Sequence, residues 1–324
     1  MRELYYWQAI NEALEEEMRR DPDVFVMGED VAIYGGAYGV TRGLYEKFGE
    51  ERVRDTAISE AAIVGAGLGA AVTGLRPVVE IMYVDFMSIA MDQLNNQAAK
   101  MRYMFGGKAK VPLVIRTEGG AGRTLGAHHS QSLEALFIHI PGIKVVMPST
   151  PYDAKGLMKS AIREDNPILF IEHKMLYNTK GPVPEEEYTL PIGKADIKRQ
   201  GTDLTIVTYS RSLLFCLEAA KELEKEGMSI EVIDLRTLLP MDIDTVIKSL
   251  KKTHKVMIVH EACKTGGAGG EIGMSIMEQG FDYLDAPIVR VAGADVPMPK
   301  SPVLENLAIP TKASIKKAIK QMLV

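Results

Sequence analysis

The chain has 324 residues, 46% hydrophobic and 25% charged, a length and composition that favour two soluble domains over one. Its net charge of -5, from 43 acidic against 38 basic residues, offers no basic face for nucleic acid and no polybasic membrane anchor. The two cysteines, Cys216 and Cys263, form no C-x-x-C pair, no secretory signal is apparent, and no apolar run approaches the ~18 residues of a membrane span, so the cytoplasm or another reducing compartment is expected.

Residues 3–20 space Leu4, Trp7, Ile10, Ala13, Leu14 and Met18 along one face of an amphipathic helix, which Asp21-Pro22 breaks. The wholly apolar run 24–27 predicts a buried parallel strand, ending on Gly28-Glu29-Asp30. Helices are predicted over 59–73, 88–102 and 153–163, and strands over 78–82, 111–115, 143–147 and 168–171. Helices threaded between apolar strands imply a parallel sheet covered on both faces. Between Tyr177 and Gln200 the pattern lapses into a proline-rich acidic stretch, which places a linker at 179–200 between a first domain, 1–178, and a second, 201–324. Strands predicted over 204–208, 229–234, 256–260 and 288–291, with helices over 213–225, 243–251 and 271–279, make that second domain a smaller α/β unit.

Several residue groups carry possible chemistry. Gly65-Ala66-Gly67-Leu68-Gly69-Ala70 fits the dinucleotide fingerprint in letters, with Asp85 about twenty residues on. The fingerprint needs its glycines in a turn between strand and helix, whereas these fall inside the helix predicted over 59–73, where small residues allow close packing. Gly266 to Gly270 follows an apolar strand and opens a helix, so it reads equally as an anion-binding turn or as a flexible contact. His128 and His129 follow the glycine-rich run 118–122 without metal-ligand spacing, yet a polar loop after a strand is where open α/β sheets place ligands. Glu29 follows a strand and Glu60 opens a helix. For Glu60 the plain alternative is a favourable charge at a helix N-terminus, worth up to ~1 kcal/mol.

Taken together, Asp55-Thr56-Ala57-Ile58-Ser59-Glu60, Gly74-Leu75-Arg76-Pro77, Asp92-Gln93-Leu94 with Asn96-Gln97-Ala98-Ala99-Lys100, His129-Ser130-Gln131 and Gly293-Ala294-Asp295-Val296-Pro297 resemble the β subunits of pyruvate, branched-chain 2-oxo acid and acetoin dehydrogenases. The resemblance implies a transketolase-like architecture of two doubly wound, mainly parallel-sheet domains. The first would bind the pyrimidine end of thiamine diphosphate, and the second would support assembly. A separate α subunit would hold the diphosphate and its magnesium through Gly-Asp-Gly, a sequence absent from this chain. An α2β2 assembly follows, in which the small-residue helix 61–73 packs against another subunit, and a lipoyl-bearing acyltransferase core component would receive the acyl group.

By the same resemblance Glu60 hydrogen-bonds the pyrimidine ring nitrogen, Phe86 stacks on that ring, and Ile58 and Met82 are its apolar neighbours. His129 serves as active-site histidine, His128 has no counterpart role, and Glu29 lies near the cofactor tunnel. A potassium site would be built from Leu113, Ala161, Ile162, Glu164 and Asn166. Segments 102–109 and 148–153 lean toward acetoin-type subunits, while 286–287 and 296–299 lean toward pyruvate-type ones. The competing readings are a single-chain nucleotide-dependent oxidoreductase and a non-catalytic docking subunit.

Overall fold

The computed structural model describes residues 1–323, and the chain divides into two compact units. The first comprises 1–119 and 136–192; the second comprises 120–135 and, among the described residues, 193–323. Residues 120–135 therefore belong with the C-terminal half although they lie deep in the N-terminal sequence.

The first unit runs through β1 (Arg2–Tyr5), α1 (Tyr6–Arg20), β2 (Val24–Gly28), α2 (Leu44–Phe48), β3 (Val53–Asp55), α3 (Glu60–Val72), β4 (Arg76–Ile81), α4 (Ala99–Met104) and β5 (Val114–Gly119). After α5 (Glu134–Ile138) come β6 (Lys144–Val146), α6 (Pro151–Arg163), β7 (Ile168–His173) and β8 (Lys180–Val183). Its parallel strands lie in the order β6-β7-β5-β4-β2-β3. The register sets Val78 beside Val114 and Val114 beside Ile168, so apolar side chains from adjacent strands form a continuous buried row. On one face α1 packs against α6. Lys155 and Lys159 of α6 are buried there with their ammonium groups on Glu16, at 2.7 and 2.6 Å, and Arg163 pairs with buried Glu17 at 2.6 Å.

Three sequence expectations shift here for physical reasons. The chain opens with β1, which pairs antiparallel with β8, so part of the stretch read as linker is ordered strand. The strand predicted over 111–115 instead runs through Arg116, Thr117 and Glu118, because the charge of Arg116 is buried against opposite charges and need not end the element. The helix predicted over 88–102 is a 3₁₀ turn at Val84–Ser88, a π-helical stretch at Asp92–Ala98 and then α4. The wider π turns keep Leu94 and Ala98 buried and leave Asp92 and Asn96 outward.

The second unit contains β9 (Asp196–Arg199), β10 (Leu204–Thr208), α7 (Ser212–Glu224), β11 (Ile230–Asp234), β12 (Thr237–Leu239), α8 (Ile243–Thr253), β13 (Val256–Cys263), α9 (Ala268–Gly280), β14 (Val289–Gly293), α10 (Pro302–Ala308) and α11 (Lys312–Leu323). Its sheet has the order β14-β13-β10-β11-β9, parallel except for β9. Leu213, Cys216, Ala220 and Leu223 of α7 meet Ile315 and Ile319 of α11 in the buried cluster. Asp242 caps α8 by accepting from the Thr245 amide.

Candidate active site

Glu29, Ile58, Glu60, Met82 and Phe86 belong to the first unit, and His128 and His129 to the second. Within the first unit β2 delivers Glu29 just past its end, and Glu60 is the first residue of α3, buried to 7% exposure. Burial, followed by the charges of Glu60, Asp30 and Glu80, raises the Glu29 carboxyl above the usual glutamate range. Glu29 and Glu60 thus lie within electrostatic reach of each other. Met82 and Phe86 are half-buried beyond the end of β4, while Ile58 is 80% exposed. Phe86 meets Tyr83 edge to face, with ring centroids 6.4 Å apart at 68°.

Behind these residues lies a buried ion cluster that no sequence motif announced. Arg116 on β5 donates to both oxygens of Glu172 on β7, at 2.7 and 2.8 Å, and pairs with Glu80 on β4. The Tyr177 hydroxyl donates to Glu172 at 2.7 Å. Glu118 and Lys174 are buried in the same cluster. The apolar alternation that reveals strands carries no signal for charges aligned across three of them. Only the registers Glu80 to Arg116 and Glu118 to Glu172 bring them together.

In the second unit the histidine loop is anchored by two carboxylates. The Ala121 amide donates to Glu261 Oε1 at 2.6 Å, the Gly122 amide to Glu305 at 2.8 Å, and Gly120 closes on the Gln131 carbonyl at 2.9 Å. Arg211 grips the Ala121 carbonyl at 3.0 Å. A cavity of about 630 Å³ adjoins the loop, with His128, Ser130 and Gln131 on one side and Glu261, Cys263 and the turn 293–298 on the other. Glu261 and Glu305 escaped sequence reading because they lie well over a hundred residues beyond the loop they hold.

The glycine clusters resolve into packing. Gly65, Gly67 and Gly69 lie inside α3, away from any strand-to-helix turn, which removes the dinucleotide fingerprint. A Cβ on Gly67 would stand 2.6 Å from Val79 Cγ1. Gly267 and Gly269, at the start of α9, let that helix approach the buried ring of His260, which an added Cβ would meet at 2.8 and 2.5 Å. Burial and then the charge of Arg290 hold His260 at a pKa of about 4, so it is neutral at physiological pH.

Of the residues expected to hold potassium, Ile162 and Glu164 have their carbonyls on Arg76, which donates to each at 2.8 Å. The Leu113 carbonyl accepts from Ile168, the Ala161 carbonyl from Glu164, and the Asn166 side chain bridges Arg102 and Glu164. Among the described residues no group of three or more His, Cys, Asp or Glu side chains is arranged to hold a metal, and no helix is long and apolar enough to cross a membrane.

Comparison with known proteins places the chain in a family. Residues 2–180 match the transketolase pyrimidine-binding domain family and residues 193–315 the transketolase C-terminal domain family. The chain is 49% identical to a pyruvate dehydrogenase E1 component subunit beta of Gracilaria tenuistipitata var. liui, over 99% of this chain and 100% of that one. It is 49% identical to the beta subunit of acetoin:2,6-dichlorophenolindophenol oxidoreductase of Cupriavidus necator, over 97% and 95% of the two chains. To the 2-oxoisovalerate dehydrogenase subunit beta of Bacillus subtilis it is 48% identical, over 98% of each. Among solved structures a split-gene transketolase, an inactive beta4 tetramer, superposes with a TM-score of 0.81 over 99% of this chain and 98% of that one; at 23% identity the likeness is one of fold.

Proposed function

Because the chain belongs to the family of β subunits of 2-oxo acid and acetoin dehydrogenases, we propose that its first unit supplies the pyrimidine half of a thiamine-diphosphate site completed by an α subunit. The observation that carries this reading is the buried carboxyl of Glu60 at the start of α3, with the Glu29 carboxyl beside it held above its usual range. A carboxyl buried at a helix start, away from water, is suited to a strong hydrogen bond with a ring nitrogen.

When bound, thiamine diphosphate supplies a nucleophilic thiazolium carbon and an electron sink for breaking the bond next to the substrate carbonyl. The chain's own residues then have distinct tasks. Glu60 holds a proton at the pyrimidine ring nitrogen, and its burial excludes water that would weaken that bond. Phe86 stacks on the pyrimidine, Met82 and Ile58 line its apolar edge, and Glu29 sets the charge around Glu60. His129, on the loop anchored by Glu261 and Glu305, donates a proton as charge develops on the substrate oxygen. These tasks are common to pyruvate, branched-chain 2-oxo acids and acetoin. The α subunit, in an α2β2 assembly, holds the diphosphate and magnesium, and a lipoyl-bearing partner accepts the acyl group.

The test is Glu60→Gln in the reconstituted α and β pair. An amide keeps the shape but cannot exchange the proton, so turnover and hydrogen–deuterium exchange at the cofactor's reactive carbon should fall by roughly a hundredfold or more. Exchange at the wild-type rate would remove Glu60 from the mechanism.

A further inference from the structure

Beneath Phe86 lies a support that the reaction chemistry does not itself require. Tyr83, between Met82 and the turn carrying Phe86, has φ of 72° and ψ of 147°. Bulky side chains rarely adopt a positive φ, and such a conformation persists only where the surroundings over-determine it. The surroundings here are rigid. The Tyr83 ring faces the buried Lys174 ammonium, 4.9 Å from nitrogen to centroid. Its hydroxyl lies 3.5 Å from that of Tyr38, which stacks on Tyr177 with centroids 4.6 Å apart. Tyr177 in turn donates to Glu172, and Glu172 is clasped by Arg116. An unbroken series of contacts thus leads from the ion cluster to the edge of Phe86.

The Lys174 ammonium, buried in the same cluster as Glu118, sits on the Tyr83 aromatic face in a region closed to water, where a cation gains most from a π system.

We propose that Tyr83 and Lys174 form a clamp that fixes Phe86 for the aminopyrimidine ring, Tyr83 acting as a positioning residue that does not itself touch the cofactor. The inference rests on the stacking role proposed above for Phe86. The clamp acts by preorganisation: a ring already held in its bound setting loses less freedom when the cofactor arrives.

The experiment uses the assembled α and β heterotetramer and measures the dissociation constant for thiamine diphosphate by titration calorimetry with magnesium, alongside turnover and the unfolding temperature. Tyr83→Phe keeps the ring and should bind within about twofold of wild type. Tyr83→Gly, which takes φ of 72° with ψ of 147° without strain and has no ring, and Lys174→Met, which removes the ammonium, should each weaken cofactor binding by about tenfold in the assembled heterotetramer. Wild-type cofactor affinity in both, while Phe86→Ala binds weakly, would overturn the clamp. Wild-type affinity in Phe86→Ala would instead overturn the stacking role on which the clamp depends. If Tyr83→Gly fails to assemble, Lys174→Met decides the question by the same comparison.

Discussion

Glu118 lies wholly inside the first unit, and burial, followed by the charges of Glu80 and Glu172, pushes its carboxyl well above the usual carboxylate range. The folded chain therefore keeps a proton that the unfolded chain releases near the ordinary glutamate pKa of about 4.3. With more protons bound when folded than when unfolded, stability is full below that value and declines as pH rises toward the folded-state pKa. Glu118→Gln carries no titrating proton and lacks this decline. Urea unfolding from pH 4.5 to 7.5 should show the variant gaining on wild type by about 1 kcal/mol or more across the range. A difference that stays constant with pH would mean that Glu118 is ionised in the fold. At this scale the sequence was informative about Glu60, which stands where a helix was predicted to begin, and silent about Glu118, which looked like an acidic residue past the end of a strand. Its environment is made by β4 and β7, and neither neighbour can be inferred from the residues adjacent to it in sequence.

The helix α3 shows how far periodicity reaches at the scale of an element. Its extent was legible to within a residue at each end, and so was the need for small side chains along it. Which face met what was not legible. The helix is expected to pack against another subunit, but its Gly67 is buried against the chain's own sheet, where an added Cβ would stand 2.6 Å from Val79 Cγ1 and 3.1 Å from Leu113 Cδ1. Ala62, Ala66 and Gly69, spaced three to four residues apart, are the exposed small residues. Gly67→Ala should thus destabilise the chain itself, by about 1–3 kcal/mol through overpacking. Ala66→Gln, on the open face, should change stability by no more than about 0.5 kcal/mol. Thermal denaturation of the two variants checks this directly, and equal melting points would contradict the packing. The same limit applies to the stretch read as a linker. Its composition marked a change of domain, yet a Cβ on Gly156 of α6 would meet Leu190 Cγ at 2.6 Å and Tyr188 Cε2 at 2.8 Å, so that stretch is packed against the helix before it. Proline and acidic residues reported irregular backbone, which is not the same as absent contacts.

For the molecule as a whole, both parallel sheets followed from apolar runs alternating with amphipathic helices, because a strand buried on both faces leaves a signature that no charged surface can imitate. The assignment of 120–135 to the C-terminal unit had no such signature, since it depends on Glu261 and Glu305 accepting hydrogen bonds from that loop's amides. The division of labour with the partner is where whole-chain chemistry becomes testable. In the proposed site Glu60 and Phe86 would address only the pyrimidine of thiamine diphosphate, a ring that offers stacking area and one strong hydrogen bond. The diphosphate carries most of the cofactor's charge, and holding it with magnesium calls for oxygen ligands and backbone amides of the kind a Gly-Asp-Gly turn supplies. The chain contains no such sequence, and among its described residues no cluster of three or more potential side-chain ligands is in place. The isolated chain should accordingly bind thiamine diphosphate weakly and without dependence on magnesium, and tight binding should appear only when the α subunit is added. Calorimetric titration of the β chain alone, then of the reconstituted pair, each with and without magnesium, separates the two cases. Tight, magnesium-dependent binding by the β chain alone would place the diphosphate anchor in this sequence after all and sink the shared-site reading. Weak binding that strengthens by orders of magnitude on adding the partner would locate the missing half of the site there.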